Sequence, residues 1–396
     1  MMNKPFKILM VLHIPWNRNL GGARVQLELA EEFEAMGHYV EKFDYHDAFP
    51  QAASSVLAGL FRPSFPVKAQ AYVRQNAHRF DIIDAHQGNL PTSKTLLNFK
   101  GLLVTRSVGL NAFYENFARW ERKNYPPQSW KVRVLNQLYR WRYFQEPRFC
   151  RRSLETCDLI NVPNGDEKKY IETYLNLKKK CSVFPFGLST QRQQDFTKAM
   201  QSSQQRLNCN TVVFIGTWSP RKGSQDWSNI IKQISQVIPE VHFLFLGTGL
   251  NEAMVLRDLP NINPKIITVI PQYQSDELPQ LLQNSTVGAF PSYIEGFGFA
   301  VLEKLACGVP TVAYDVPGPR EMLKYCSTDL MVQPGNIEQF SLKIIELLSL
   351  SENAYTSLSQ ECWAIAQKFN WSNIAQDTIK QYEKFLALKE HETNGN

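Results

Sequence analysis

The sequence predicts an α/β protein built from two doubly wound domains. Three observations lead there. The chain has 396 residues, more than one ordinary core accommodates; two domains of about 150–200 residues each is the natural division. Short apolar runs of strand length alternate with longer helical patterns in both halves, the signature of a parallel sheet with helices on both faces. A polar stretch after Phe186 interrupts this alternation, which then restarts.

The elements follow in order. Lys7–His13 is a compact apolar strand, followed by Gly21-Gly22 and a helical pattern of Val25, Leu27, Leu29, Ala30, Phe33 and Met36. Gly37 stops that helix and Tyr39-Val40 opens the next strand, giving the β–glycine loop–α–β opening of a nucleotide-binding domain. Ile82-Ile83, Leu102–Thr105 and Leu159–Val162 are further buried strands. The polar run from Ser189 through Gln194 and on to Gln201–Gln205 reads as an exit from the first domain and a linker or mobile loop. Strands resume at Thr211–Ile215, Val241–Leu246, Ile266–Ile270, Val287–Phe290 and Thr311–Tyr314, with helical segments such as Trp227–Val237, Leu278–Gln283 and Phe299–Ala306 between them. The expected boundaries are 1–188 for the first domain, 189–209 for the linker, 210–370 for the second domain, and 371–396 for a C-terminal helix that crosses back to the first domain.

Composition narrows the function classes. A hydrophobic content of 43% with 20% charged residues describes a globular chain. A net charge of +6 is mild at this length and does not by itself indicate nucleic acid. The seven cysteines are dispersed with no C-x-x-C pair, which reads as reduced cytoplasmic thiols rather than a disulfide frame or zinc site. The apolar run around Ile8–Ile14 lacks a small-residue cleavage site and reads as a strand. No stretch approaches the roughly 18–20 apolar residues that span a bilayer.

The chemistry concentrates in Pro291–Pro310. Strand Val287–Phe290 runs into a loop with Glu295, Gly296 and Gly298, then into an apolar helix carrying Glu303. Glycines at such a junction let backbone approach a ligand, and the helix start offers N–H groups and a positive dipole end to a phosphate. Carboxylates there suit paired hydroxyls of a sugar or ribose; a plain strand–turn–helix with one capping and one solvated Glu is the alternative. A second segment, Phe214 to Gly223, ends a strand at Gly216 and places Arg221-Lys222 on a loop. Fixed cations stabilise the negative charge of a departing diphosphate; a solvated basic turn is the alternative.

The first segment resembles the retaining glycosyltransferases of the GT-B fold, in the large family that includes sucrose synthases and bacterial phosphatidylinositol mannosyltransferases. The likeness rests on E-x7-E with its Glu295-Gly296-Phe297-Gly298 start and Glu303, continuing through Ala306, Gly308, Pro310, Ala313, Gly318 and Glu321. It implies two Rossmann-like domains facing a central cleft, and metal-independent transfer from a nucleoside diphosphate sugar with no further cofactor. It implies that Glu295 contacts donor-sugar hydroxyls, Glu303 the ribose, and backbone at Gly298-Phe299 the sugar and diphosphate. Lys222 aligns with the family's lysine. The family's arginine after Gly216 is replaced by Thr217, leaving Arg221 as its substitute. In the first half, Gly21-Gly22 fits the loop that approaches the donor phosphates, and His86 fits a histidine on the acceptor side. Arg106 stands where the family often has a second histidine; arginine cannot serve as a base, but it suits an anionic acceptor or donor group.

The acceptor region is Arg119–Arg152, with ten Lys/Arg against two Glu among interleaved Trp, Tyr and Phe residues. This suits peripheral contact with an anionic membrane at its inner face, or a lipid-linked acceptor. Stacking on single-stranded nucleic acid and a solvated basic helix are the alternatives; nucleic acid is not expected. The expected partners are a nucleotide sugar and a sugar, glycan or lipid-linked acceptor. A sugar-nucleotide epimerase or hydrolase of related fold stays open, as does a catalytically silent nucleotide-binding scaffold, which Thr217 and Arg106 favour.

Overall fold

The computed structural model describes residues 5–50, 64–125, 134, 137 and 145–394. The chain forms two compact units: Met1–Pro185 with Trp371–Asn396, and Phe186–Asn370.

In the first unit, β1 (Lys7–Val11), β2 (Tyr39–Phe43), β3 (Ile82–His86), β4 (Leu102–Arg106), β5 (Leu159–Val162) and β6 (Cys181–Val183) form one sheet in the order β2-β1-β3-β4-β5-β6. Every pairing is parallel, with Ile8 opposite Ile82 and Ile83 opposite Leu103. β3, β4 and β5 are buried along their whole length, which is why they read as continuous apolar runs rather than alternating ones. The helix Gly21–Ala35 lays Val25, Leu29 and Phe33 into the core. It begins at Gly21 itself, so the Gly-Gly pair is its first turn.

The second unit is also a six-stranded sheet, of β7 (Thr211–Ile215), β8 (His242–Leu246), β9 (Ile267–Ile270), β10 (Val287–Phe290), β11 (Thr311–Tyr314) and β12 (Met331–Val332), with the different order β12-β11-β10-β7-β8-β9. All pairings are again parallel. The order reverses between β7 and β10 here, and between β1 and β3 in the first sheet. Strands that diverge from such a point leave a crevice beyond their carboxyl ends, the usual ligand position in an open α/β sheet.

One expectation needs correction. The 189–209 segment is not a linker or loop but two short helices of the second unit, Thr190–Lys198 and Ser203–Cys209. Ser189 and Ser202 cap them, each hydroxyl accepting a backbone N–H three residues on. Phe196 and Arg206 are buried. The polar composition had hidden both the caps and this anchoring.

The C-terminal helix, Trp371–Asn394, belongs to the first unit. Trp371 is fully buried and its indole N–H donates to Glu28 Oε2 at 2.6 Å. Tyr382 donates its hydroxyl to Asp84 Oδ2 at 2.7 Å.

Candidate functional site

The site grows from the two strands that flank the second unit's reversal. After β7, Pro220–Lys222 makes one 3-10 turn closed by Gly223 at φ +79°. A Cβ on Gly223 would lie 2.2 Å from the carbonyl oxygen of Pro291, so only glycine lets this loop lie against the one leaving β10. Tyr293 N–H donates to Arg221 O at 3.0 Å and ties the two loops together.

That contact delivers the charges. The Lys222 ammonium is hydrogen-bonded to Glu295 Oε2, and Arg221 Nη1 lies 3.6 Å from the same oxygen. The Lys222 and Glu295 side chains are 12% and 15% exposed, so the pair is mostly withdrawn from water yet reachable from it. Burial pulls the Lys222 pKa below its usual value; Arg221 acts in the same direction and Glu295 against it. Gly298 caps the helix Phe299–Ala306 at φ +90°, a conformation an L side chain rarely adopts. Two cations and a helix start make a site for an anion, and the adjoining carboxylate accepts from hydroxyls.

Glu303 sits in the middle of this helix and is 7% exposed. It pairs with Arg192, whose Nη2 is 3.0 Å from Glu303 Oε1. No local signal in the sequence marks Arg192: it lies 111 residues from its partner, in a polar run whose composition reads as a linker. Lys304 is not among the expected site residues either, although it is legible as a lysine on the apolar face of the helix, among Val301, Leu302 and Leu305. It is completely buried, donates to Ala289 O at 2.9 Å, and lies 5.4 Å from the Phe290 ring centre. Lys222 lies 5.0 Å from the same ring. Burial, reinforced by Lys222, pulls the Lys304 pKa well down.

The other expected residues divide. Gly216 lies against Lys222, a Cβ there meeting Lys222 Cδ at 3.5 Å, while Thr217 beside it is exposed. Gly296 is buried. Phe297 turns its ring into an aromatic cluster with Phe186, Phe299 and Phe369, at centroid distances of 5.2 to 5.8 Å. Its side chain is therefore core, leaving only its backbone to line the loop. Phe299 stacks on Phe186.

In the first unit, Gly22, His13 and His86 gather at that sheet's own reversal. A Cβ on Gly22 would lie 3.9 Å from His86 Cε1, and the two imidazoles are 5.8 Å apart; a Cβ on Gly21 meets nothing within 4 Å. His86 is buried, and neither ring nitrogen has a hydrogen-bond partner among the described residues. Burial, His13 and Arg106 hold it neutral, with a pKa well below the usual value. Arg106 does not fill the role of an anion ligand. It is buried, its Nε donates to both Asp84 carboxylate oxygens at 3.0 and 3.1 Å, and its Nη2 donates to Tyr382 OH at 3.0 Å. These partners bind the guanidinium into the core.

Half of the basic-aromatic segment 119–152, including Trp130, Tyr139, Trp141, Tyr143 and Phe144, lies outside the described residues. Trp120 and Tyr125 at its start are exposed. Among the described residues no helix is long and apolar enough to cross a membrane.

Comparison with known proteins bears on the fold and on the second unit. Residues 195–361 match the family model of glycosyl transferases group 1. A D-inositol 3-phosphate glycosyltransferase of Mycobacteroides abscessus is 28% identical over 189 residues, 46% of this chain and 41% of the relative; the chain thus spans less than half that relative's length. Sucrose-phosphate synthase from Thermosynechococcus elongatus superposes with a TM-score of 0.72 at 18% identity, covering 96% of this chain and all of that one. An Anabaena protein in complex with UDP and glucose superposes with a TM-score of 0.63 at 18% identity, over 96% and 100% of the two chains. By fold, then, the chain is a GT-B protein of two Rossmann-like units, and its second unit carries the segment that matches glycosyl transferases group 1.

Proposed function

We propose that this protein is a retaining glycosyltransferase whose nucleoside diphosphate sugar is held by the second unit. The observation that carries the reading is the convergence of Lys222, Arg221 and Glu295 at the glycine-capped start of the helix Phe299–Ala306. Lys222 and Arg221 face the diphosphate and offset the charge it gains as the glycosidic bond breaks. Glu295, the counter-ion of Lys222, accepts from hydroxyls of the sugar, and Glu303 from the ribose. In a front-face reaction the acceptor oxygen bonds to C1 as the C1–O bond to phosphate breaks. The acceptor proton passes to the departing diphosphate, so no protein base is required. This fits a chain in which Arg106 is locked into the core and replaces a histidine. The matched relative supports sugar transfer, and the neighbour in complex with UDP and glucose supports the choice of donor class.

Purified wild-type protein, incubated with UDP-, GDP- and ADP-sugars and an acceptor panel, is expected to transfer from one of them. Lys222→Ala and Glu295→Ala should each lower kcat by about 100-fold or more. Near-normal turnover in either variant contradicts the assignment, and nucleotide release with donor alone at the same rate makes the protein a hydrolase.

The acceptor, a sugar, glycan or lipid-linked hydroxyl, we assign to the first unit, with His86 facing it. We place the enzyme in the cytoplasm, touching anionic lipid through 119–152. Co-sedimentation with anionic liposomes at low salt, lost at high salt, is the expected behaviour; no binding at low salt removes the membrane contact.

A further inference from the structure

Arg192 carries the inference. Its guanidinium is held from three sides. Nη1 donates to Ser275 O at 2.7 Å, Nη2 donates to Glu303 Oε1 at 3.0 Å, and Cζ lies 4.9 Å from the centre of the Phe196 ring. Ser275 opens the turn after β9, and Glu303 lies on the helix after β10. Arg192 thus joins two segments that both leave the carboxyl edge of the second sheet, where a ligand lies in this class of fold. The pair is largely dehydrated, with Arg192 13% and Glu303 7% exposed.

Dehydration makes the pairing consequential. A carboxylate withdrawn from water with no cation beside it is driven towards its neutral form, and a neutral carboxyl group presents a donor as well as an acceptor. Beside a fixed guanidinium it stays ionised and accepts only, which is what reading the hydroxyl groups of a ribose requires. The planar fork also sets direction. One carboxylate oxygen is engaged from the Arg192 side, which fixes the rotation of the Glu303 side chain at little entropic cost, because Phe196 and Ser275 already hold the guanidinium.

We propose that Arg192 is a positioning residue for nucleotide recognition: it keeps Glu303 ionised and aimed, so that the site distinguishes a ribose from a sugar lacking its hydroxyls. This rests on the assignment of Glu303 to the ribose of a nucleoside diphosphate.

The test measures Kd by calorimetry for UDP, GDP and ADP and for their 2′,3′-dideoxy counterparts, using the full chain. The wild type is expected to prefer the ribonucleotide of one base. In Arg192→Gln that preference should fall about tenfold with dideoxynucleotide affinity unchanged. Glu303→Gln should do the same, and the double variant should add nothing further. Arg192→Lys, which retains a cation but not the fork, should fall between and guards against a folding defect in the glutamine variant. Equal weakening of ribo- and dideoxynucleotides in the Arg192 variants, or an unchanged preference, overturns the proposal while leaving the donor site intact. A wild type that binds none of the three nucleotides overturns the donor reading itself, and this inference falls with it.

Discussion

Single residues hold most of the electrostatic tension in this chain, and Glu167 gives the clearest pH signature. It is buried in the first unit, where its Oε2 accepts from Ser107 Oγ at 2.6 Å and its Oε1 from Asn164 Nδ2 at 3.3 Å. Burial raises its pKa from 4.5 to about 7, against the opposing hydrogen bonds. The folded state therefore holds a proton that the unfolded state has released between those two values. The stabilisation is complete below pH 4.5 and is lost as pH rises through about 7; it amounts to about 3 kcal/mol. His86 has the opposite sign, since its lowered pKa costs stability as pH falls below 6.5, so the wild-type profile blends the two. The difference between Glu167→Gln and wild type isolates one. By urea unfolding, that difference should move in favour of the variant by about 3 kcal/mol from pH 4.5 to pH 8. A difference that stays flat across that range removes the buried-carboxylate account.

Elements were legible where local pattern decides them. Val287–Phe290, Phe299–Ala306 and Trp227–Val237 lie where strand runs and helical spacing placed them. They are buried, and their neighbours merely confirm what their own residues prefer. The two helices between Ser189 and Cys209 were not legible, because what holds them is Arg206 reaching Gln283 O and Cys307 Sγ, far along the chain. The same division runs through the site. Glu295, Gly298 and Lys222 stand on glycine-marked turns, whereas Arg192 meets Glu303 only once the fold is complete. Arg106 was misread for a related reason: a strand-end arginine looks like a ligand until Asp84 and Tyr382 are known to surround it. Tyr382 comes from the C-terminal helix, so that helix is part of the first unit's core. Trp371→Ala, which removes its buried anchor and strips a hydrogen bond from Glu28, should cost about 3–5 kcal/mol of unfolding free energy. Trp371→Phe should cost clearly less. A loss below 1 kcal/mol for the alanine variant would mean the helix is docked by other contacts.

At the scale of the whole molecule, the two units are both six-stranded parallel sheets, with different strand orders and different chemical endowments. Lys222, Arg221, Glu295, Arg192 and Glu303 all belong to the continuous stretch Phe186–Asn370. The first unit offers Gly22 beside His13 and the buried, uncharged His86 at its own reversal point, and Arg106, expected as an anion ligand, is bound into the core. The proposed function therefore concentrates nucleotide recognition in the second unit, which can be tested on the intact chain. Hydrogen exchange with and without a saturating nucleoside diphosphate should show protection centred on residues 216–223, 271–277 and 291–303. Amides of β1–β6 should change little, because in the proposed reading the nucleotide is held by the second unit. At a ligand concentration 100 times Kd the bound form gains about 2.7 kcal/mol, enough to raise Tm measurably. That rise should vanish in Lys222→Ala together with the protection pattern. Protection confined to the first unit, with residues 291–303 unchanged, would move the nucleotide site away from the glutamates and lysine on which the functional reading stands.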